Sequence, residues 1–191
     1  MNIKHNKELV VNRGLELFIS EGYHALGVDK ICKITGMTKG AFYNAFKSKE
    51  KFFLVCLETY FNQGRDFLTL SLNNDKTAFD AVKNFYFQLL NIEQDKCFSG
   101  CLINNIMSEL GGSNKAINQV TNTYFNSLID IIEPKIKEAQ VEGSIKNNFD
   151  SRQVAELLHS TFFGVLTRLK GSSNNEAGVN TMLLLFNSIK K

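Results

Sequence analysis

The sequence predicts an all-α protein, on three observations. Its 191 residues include one proline and thirteen glycines, and β-branched residues seldom occur in runs, a composition that favours helix over strand. Hydrophobic residues make up 43% of the chain, which is enough for a packed core. Apolar side chains recur at the helical period in nine segments, which glycines and Asn/Ser clusters separate. A chain of this length forms one mid-sized domain or two small ones.

The first three predicted helices are short. The first covers about residues 6–20 and ends at Gly22, the second follows Gly27 as its N-cap, and the third spans about residues 38–46. Gly14 lies in the middle of the first helix, where a glycine costs about 1 kcal/mol relative to alanine. We interpret Gly14 as a position where another helix crosses closely.

Longer helices follow and fill the rest of the chain. Ser48 is a good N-cap for a fourth helix that reaches about residue 71. Pro134 lacks an amide hydrogen, so we expect the seventh helix to kink there or to break into two. The fifth to ninth helices are predicted at about residues 77–93, 102–110, 115–141, 151–170 and 177–189.

Positive charge is concentrated near the N-terminus. Residues 1–51 contain nine Lys and Arg against five Asp and Glu, a net charge of +4, whereas the remaining 140 residues contain thirteen against fourteen. Either a solvated basic face or a nucleic-acid partner would explain this bias. The chain has no run of about 18 apolar residues and no signal-like start, so no membrane partner is expected. Four cysteines without a dense framework favour a cytoplasmic location.

The basic bias coincides with a helix-turn-helix pattern in residues 28–50. Gly36 stands where a first helix must stop and reverse, and Thr38 can cap the helix that follows. Phe42 and Phe46 fall four residues apart, so both face the inner side of that second helix. Two short helices joined by a glycine turn, with lysines around the second, are suited to enter a DNA groove.

Four sequence words occur in this region in a fixed order: LELFISEGY (15–23), VDKI (28–31), GMTKGAFYNAF (36–46) and SKE (48–50). Together they resemble the N-terminal DNA-binding region of the TetR family of one-component transcriptional regulators. The resemblance implies a three-helix helix-turn-helix domain over residues 1–47. It also implies a helical effector-binding and dimerisation domain over residues 48–191, and a homodimer that binds a palindromic double-stranded DNA operator.

The third helix carries most of the candidate DNA contacts, because small or polar residues suit the bases and cations suit the phosphates. The resemblance implies that Thr38, Lys39, Tyr43 and Lys49 touch phosphate or the groove edge. Asn44 can bind adenine through two hydrogen bonds, and Lys47 adds charge where the family usually has proline. The full set of expected DNA-binding residues is Thr38, Lys39, Gly40, Ala41, Tyr43, Asn44, Lys47 and Lys49.

The last two helices have apolar faces wider than a small bundle needs to bury. We expect them to form a four-helix bundle between two protomers, with Gly164 allowing a close crossing, although an intrachain core is the alternative. The family's C-terminal domains also contain an apolar ligand pocket. Candidate pocket and sensing residues are Cys101, Phe98, Phe85, Tyr124, Phe162 and His159.

The word GCLINNIMSE (100–109) resembles a Gly-Cys-Leu…Asn…Glu segment of a subgroup that includes electrophile sensors of the NemR kind and acrylate-responsive relatives. Cys101 begins a predicted helix, whose dipole would stabilise its thiolate. Covalent sensing at Cys101, with Cys97 as a resolving thiol, is one interpretation. Packing or pocket lining is the other. His159 either lines the pocket or satisfies a hydrogen bond in the core.

The sequence therefore predicts a ligand-responsive transcriptional regulator, a repressor by family habit, with a small molecule, electrophile or oxidant as effector. No metal site or cofactor is expected, because the histidines are scattered and none is near Cys97 or Cys101. An architectural DNA-binding protein without effector is the alternative. A thiol enzyme that uses Cys101 is remote, because no base and orienting group follow from the spacing. The protein is not expected to be an enzyme.

Overall fold

The computed structural model describes residues 6–73, 77–92, 100–172 and 174–191. These residues form nine helices and one isolated β-bridge, which confirms the all-α class. None of the helices in these ranges is both long enough and apolar enough to cross a membrane. The helices are α1 (Lys7–Glu21), α2 (Val28–Thr35), α3 (Lys39–Phe46), α4 (Lys49–Ser71), α5 (Ala78–Ile92), α6 (Leu102–Leu110), α7 (Lys115–Val141), α8 (Ser151–Leu169) and α9 (Glu176–Ile189).

Local capping chemistry sets the ends of the first helices. The Asn6 side chain accepts a hydrogen bond from the Glu8 amide at 3.0 Å, and Thr38 caps α3 through the Ala41 amide at 3.2 Å. Gly36 adopts the left-handed conformation, at φ 75°, and its amide closes α2 on the Cys32 carbonyl. Such a conformation is open to glycine at little cost, so the turn between α2 and α3 follows directly from the sequence.

Aromatic rings in edge-on and tilted contact hold both α3 and α1 against α4. The Phe18 and Phe53 ring centroids lie 4.7 Å apart, and Phe52 lies 4.6 Å from Phe46 and 5.2 Å from Phe42. All five side chains are buried, and each such ring pair contributes about 0.5–1.5 kcal/mol beyond its buried area. As expected, Phe42 and Phe46 point inward, so the opposite face of α3 is presented to solvent on a rigid base.

The interpretation of Gly14 as a close crossing is confirmed. A Cβ at this position would lie 2.3 Å from Cζ of Phe52 and 3.2 Å from Sγ of Cys56. Both neighbours are fully buried and have no room to move. The glycine therefore permits α1 and α4 to approach, and the packing gained offsets its low helix propensity.

The seventh helix does not break at its proline. The helix α7 is continuous from Lys115 to Val141 with Pro134 inside it. Ile129 and Ile132 before the proline and Ile136 after it are all fully buried. Because α7 packs against α5, α6 and α8 and is buried on both sides of Pro134, tertiary packing compensates for the missing backbone hydrogen bond.

The long helix α4 belongs to both parts of the molecule. Its first turns, with Phe52, Phe53 and Cys56, pack on α1, while its later turns contact α6 and α7. A division of the chain at residue 47 therefore stays a prediction, since α4 continues from one group of helices into the other.

Candidate functional site

The outer face of α3 and its flanks is exposed. Tyr43 is 46% exposed and has its ring edge against Phe42 at 5.5 Å, which supports the ring without covering it. Ala41 is half-buried. The remaining exposed residues of the expected set are Thr38, Lys39, Gly40, Asn44 and Lys47. These five residues and Tyr43 therefore lie on the solvent-exposed side of the helix-turn-helix.

Lys39 is held by an acidic neighbour. Its ammonium lies 2.6 Å from an Asp29 carboxylate oxygen across the α2–α3 turn, and this hydrogen bond raises the pKa of Lys39. Both side chains are mostly exposed, so solvent weakens the pair and a phosphate can replace the carboxylate.

Lys47 ends α3 in an unusual backbone conformation. Its φ of 68° lies in the region that favours glycine, and its amide bonds the Tyr43 carbonyl at 3.0 Å. The Lys47 ammonium donates to the Asn44 carbonyl at 2.9 Å. A cation at this position is favourable because the last carbonyls of a helix carry partial negative charge.

Lys49 faces inward, which differs from the phosphate contact expected for it. Its ammonium donates to the backbone carbonyls of Tyr23 and Leu26 at 2.8 and 2.9 Å and lies 4.1 Å from the Tyr23 ring centroid. Partial burial lowers its pKa. Lys49 therefore holds the loop between α1 and α2, a tertiary role that the helix-start position did not reveal.

The end of α6 holds the same loop. The Glu109 carboxylate accepts hydrogen bonds from the Tyr23 amide at 3.1 Å and the His24 amide at 2.7 Å. A second link joins the start of α4 to the start of α7, where the Asn114 amide donates to Glu50 at 2.7 Å. Glu109 lies within GCLINNIMSE, yet no local pattern indicated that it contacts residues about 85 positions away.

A cavity of about 330 Å³ lies between α4, α5, α7, α8 and the start of α6. Four of the expected pocket residues line it: Cys101, Phe85, Phe162 and His159. Tyr124 does not, since its ring stacks on Phe61 at 4.1 Å and Phe61 lines the wall. Phe98, and with it Cys97, lies outside the described residues.

Much of the cavity wall comes from α4, which sequence reasoning missed. Its contribution could have been recognised from the apolar residues that continue at helical spacing in the second half of this helix. The α4 residues at the wall are Tyr60, Phe61, Gln63, Gly64, Phe67 and Leu68.

Cys101 is the N-cap residue of α6 and is half-buried at the cavity wall. The next amide, of Leu102, donates to the Tyr60 hydroxyl at 3.4 Å, which joins the start of α6 to α4. The helix thus begins at the cavity with Cys101 and ends one residue beyond Glu109.

His159 is buried among aromatic rings, with Phe163 at 4.7 Å and Phe125 at 5.2 Å between ring centroids. Its Nδ1 lies 3.2 Å from the Tyr86 hydroxyl. Burial lowers the pKa of His159 to about 4, so its ring is neutral at pH 7. Both expectations for His159 describe it, because it lines the cavity and makes a core hydrogen bond. Among the described residues, no group of His, Cys, Asp and Glu is arranged to hold a metal ion.

The helices α8 and α9 cross closely within the chain, and each has one leucine on its exposed side. Gly178 lies at the crossing, where a Cβ would be 2.7 Å from Cγ1 of Val165. Gly164, by contrast, faces outward with no atom within 4 Å of its Cβ position, so it is not needed for this crossing. Leu157 on α8 is 49% exposed and Leu184 on α9 is 73% exposed.

Comparison with known proteins agrees with this geometry. Residues 10–56 match the family described as "Bacterial regulatory proteins, tetR family", and residues 78–182 match "Tetracyclin repressor-like, C-terminal domain". The chain is 25% identical over 183 residues to the HTH-type transcriptional repressor DhaR of Mycobacterium sp. (strain GP1), an alignment that covers 96% of this chain and 91% of DhaR.

Two solved structures show the same fold. The reduced form of NemR from E. coli has a TM-score of 0.87 and 22% identity, and covers 97% of this chain and 96% of its own. A cysteine mutant of the TetR family regulator CifR, in complex with 26-bp double-strand operator DNA, has a TM-score of 0.85 and 16% identity, with 99% of both chains covered. The two family matches span most of the sequence, with a helix-turn-helix at one end and a helical domain around a cavity at the other. The chain belongs to the TetR family of DNA-binding, ligand-responsive transcriptional regulators.

Proposed function

We propose that the protein is a dimeric repressor that reads a palindromic operator with α3 of each protomer and leaves it when a small molecule enters the cavity. The observation that carries this proposal is the path of α6. This helix starts at the cavity wall with Cys101 and holds the α1–α2 loop through Glu109. A change at the cavity can therefore be transmitted through α6 to the α1–α2 loop and the helix-turn-helix of α2 and α3, which is the reading head of each protomer.

The DNA contacts of the proposal rest on exposure and charge. Thr38 and Gly40 lie at the start of α3, where the positive end of the helix dipole favours a phosphate. Tyr43 and Asn44 follow on the same outer face. Because Asn can pair with the N6 and N7 atoms of adenine, Asn44 is the proposed base reader.

Salt dependence of operator binding tests these contacts. Each neutralised phosphate contributes a slope of about 0.9 in the plot of log affinity against log salt, so Lys39→Ala is expected to lower the slope by about 0.9. Asp29→Asn is the matched variant, and it should strengthen binding because it releases the Lys39 ammonium. Fluorescence anisotropy with an operator selected from random double-stranded DNA measures both. Unchanged affinity and slope in Lys39→Ala would count against the assignment.

Dimerisation follows from the exposed side of α8 and α9. Leu157, Gly164 and Leu184 lie on that side, and the missing side chain of Gly164 leaves room for a partner helix. Two helices from each protomer would then form a four-helix bundle. A twofold axis through this bundle would present two copies of α3 to successive half-sites of the operator.

Release from DNA requires the ligand to favour a different spacing of the two reading heads. A ligand changes an equilibrium only by its differential affinity for the two states. The cavity is bordered by α4 and by the first residues of α6, and both helices contact α1 or the α1–α2 loop. A ligand that binds more tightly to the conformation in which the two α3 helices do not match the operator would therefore lower operator affinity.

Glu109→Gln tests this route. An NH2 group, which cannot accept, replaces one of the two carboxylate oxygens that now accept hydrogen bonds from the Tyr23 and His24 amides, and the charge is lost. We expect operator binding without effector to persist, and the loss of affinity caused by effector to shrink about fivefold or more, within the usual range of coupling between sites. The effector probe is methyl vinyl ketone, and Glu138→Gln on the exposed side of α7 is the control. Full release in Glu109→Gln would exclude the α6 route.

Covalent sensing at Cys101 is the finer part of the proposal. The Cys101 thiolate would add to the β-carbon of an α,β-unsaturated carbonyl compound, forming a C–S bond, and water would protonate the α-carbon. Cys101 lies at a helix start and on the cavity wall. Cys56 and Cys32 are buried, and burial raises the pKa of Cys56 to about 12 and also raises that of Cys32, so both are protonated at pH 7.

Mass spectrometry after brief exposure to methyl vinyl ketone is expected to find the adduct on Cys101 and not on Cys56 or Cys32. Release of Cys101→Ser from the operator should then require at least tenfold more methyl vinyl ketone than release of the wild type. The reason is that the serine hydroxyl does not add to this compound under these conditions. Equal release of both proteins would end the proposal for Cys101.

A further inference from the structure

A histidine nitrogen is buried in the cavity region without a partner. His159 is 3% exposed and lines the cavity. Its Nδ1 is engaged by the Tyr86 hydroxyl, whereas Nε2 is buried and has no hydrogen-bond partner among the described residues. His159 is among the residues that line the cavity and Tyr86 is not, and Nε2 is the ring nitrogen that Tyr86 leaves unengaged. Unsatisfied buried polar atoms are rare, so one on a residue that lines a cavity is a candidate contact for a bound molecule.

The Tyr86 hydroxyl determines which ring nitrogen carries the proton. Tyr86 is fully buried, and in the described part of the chain its hydroxyl bonds His159 Nδ1 at 3.2 Å. A phenol is the better donor and an imidazole nitrogen the better acceptor, so the hydroxyl donates to Nδ1. The ring proton is then on Nε2, which becomes a hydrogen-bond donor.

The described part of the wall favours uncharged ligands. None of the described residues that line the cavity is Lys, Arg, Asp or Glu, and most are aromatic or aliphatic. His159 itself is neutral at pH 7, because burial lowers its pKa to about 4. A carboxylate or an ammonium would lose its hydration here without gaining an opposite charge. A cavity of about 330 Å³ also favours a compact molecule of one ring or similar size.

We propose that the cavity binds a compact, uncharged and largely apolar molecule with a carbonyl oxygen, and that the His159 Nε2–H donates a hydrogen bond to that oxygen. Tyr86 is a positioning residue, because it fixes the tautomer without touching the ligand. This inference rests on the proposed effector cavity and names its ligand class. If the effector is also an electrophile, the same hydrogen bond would withdraw electron density from the carbonyl and favour thiol addition.

Acetophenone and α-methylstyrene test the inference, because they share a shape and differ in one carbonyl oxygen that CH₂ replaces. Calorimetry measures their dissociation constants with the full chain. The preference is the dissociation constant of α-methylstyrene divided by that of acetophenone. We expect this ratio to fall about fivefold or more in His159→Phe, which corresponds to the loss of one hydrogen bond to a buried donor. Tyr86→Phe retains the wall and should also reduce the preference, and thermal melts check that both variants fold.

Nitrogen-15 NMR of the histidine rings gives a second measurement. The wild type should show His159 protonated on Nε2, and acetophenone should shift that signal. A ring protonated on Nδ1, or a preference for acetophenone that is equal in all three proteins, would overturn the inference. If acetophenone binds through His159 but leaves operator affinity unchanged, the ligand site stands and control of DNA binding through this cavity fails.

Discussion

Leu184→Glu is expected to make the protein monomeric and to weaken operator binding about 100-fold or more, because linked reading heads gain about 10²–10⁴ in affinity over a single one. Leu184 is 73% exposed, so the variant loses almost no packing within its own chain. In the proposed four-helix bundle, two glutamates would be buried near the twofold axis without cations. The chain should therefore fold normally and fail to pair.

The experiment separates dimerisation from DNA contact. Sedimentation measures the oligomeric state, and anisotropy compares a full palindrome with a single half-site. Leu184→Glu should bind the half-site with the same affinity as the wild type does. It should lack the higher affinity that the wild type has for the full palindrome. Leu70→Glu is the matched control, since Leu70 is 67% exposed but lies on α4, which is not part of the proposed interface. A variant that remains dimeric and binds fully would contradict the proposed interface.

Acidification from about pH 6.5 to pH 4 is expected to cost about 3 kcal/mol of folding stability through His159 alone. In the unfolded chain the imidazole takes up a proton near its ordinary pKa of 6.5, whereas in the folded chain burial lowers the pKa to about 4. The unfolded state thus binds more protons throughout this interval. Stability falls as pH decreases through it, and the loss is complete once the pH is below the folded value.

Urea unfolding at pH 7, 5 and 4, at one protein concentration, measures this loss. Carboxylates also titrate in acid, so the informative quantity is the difference between the wild type and His159→Gln. His159→Gln should be less stable than the wild type at pH 7 but should lose less stability in acid. His24→Gln, at an exposed position, should follow the wild-type curve. Parallel curves for the wild type and His159→Gln would show that His159 is accessible to protons in the folded state.

Local chemistry explains why the helices could be predicted so closely. Asn6, Thr38 and Ser48 each accept hydrogen bonds from amides two or three residues ahead, and Gly36 adopts the left-handed turn. Information of this kind lies within a few neighbouring residues. Periodicity likewise placed Phe42 inward. Pro134 was ambiguous because a local rule favoured disruption while buried packing on both sides of it kept α7 whole.

Only some of the cavity residues could be predicted, because the lining of a cavity depends on how whole helices pack and not on local sequence alone. His159 and Phe162 lie at the cavity wall on the inward face of α8, and Cys101 lies there as the N-cap residue of α6. Tyr124 also faces inward, but Phe61 stands between it and the cavity, and the order of two stacked rings is not encoded by either helix.

The sequence by itself determined the helices, the glycine turn and the exposed polar face of α3, because caps, backbone preferences and helical periodicity act over a few residues. Only the tertiary structure decided how these parts are connected. Lys49 turns to the loop carbonyls of Tyr23 and Leu26, Glu109 holds amides 85 and 86 residues away, and Tyr86 meets His159 across 73 residues. Such contacts depend on the packing of whole helices, which brings distant polar groups together after local structure has formed.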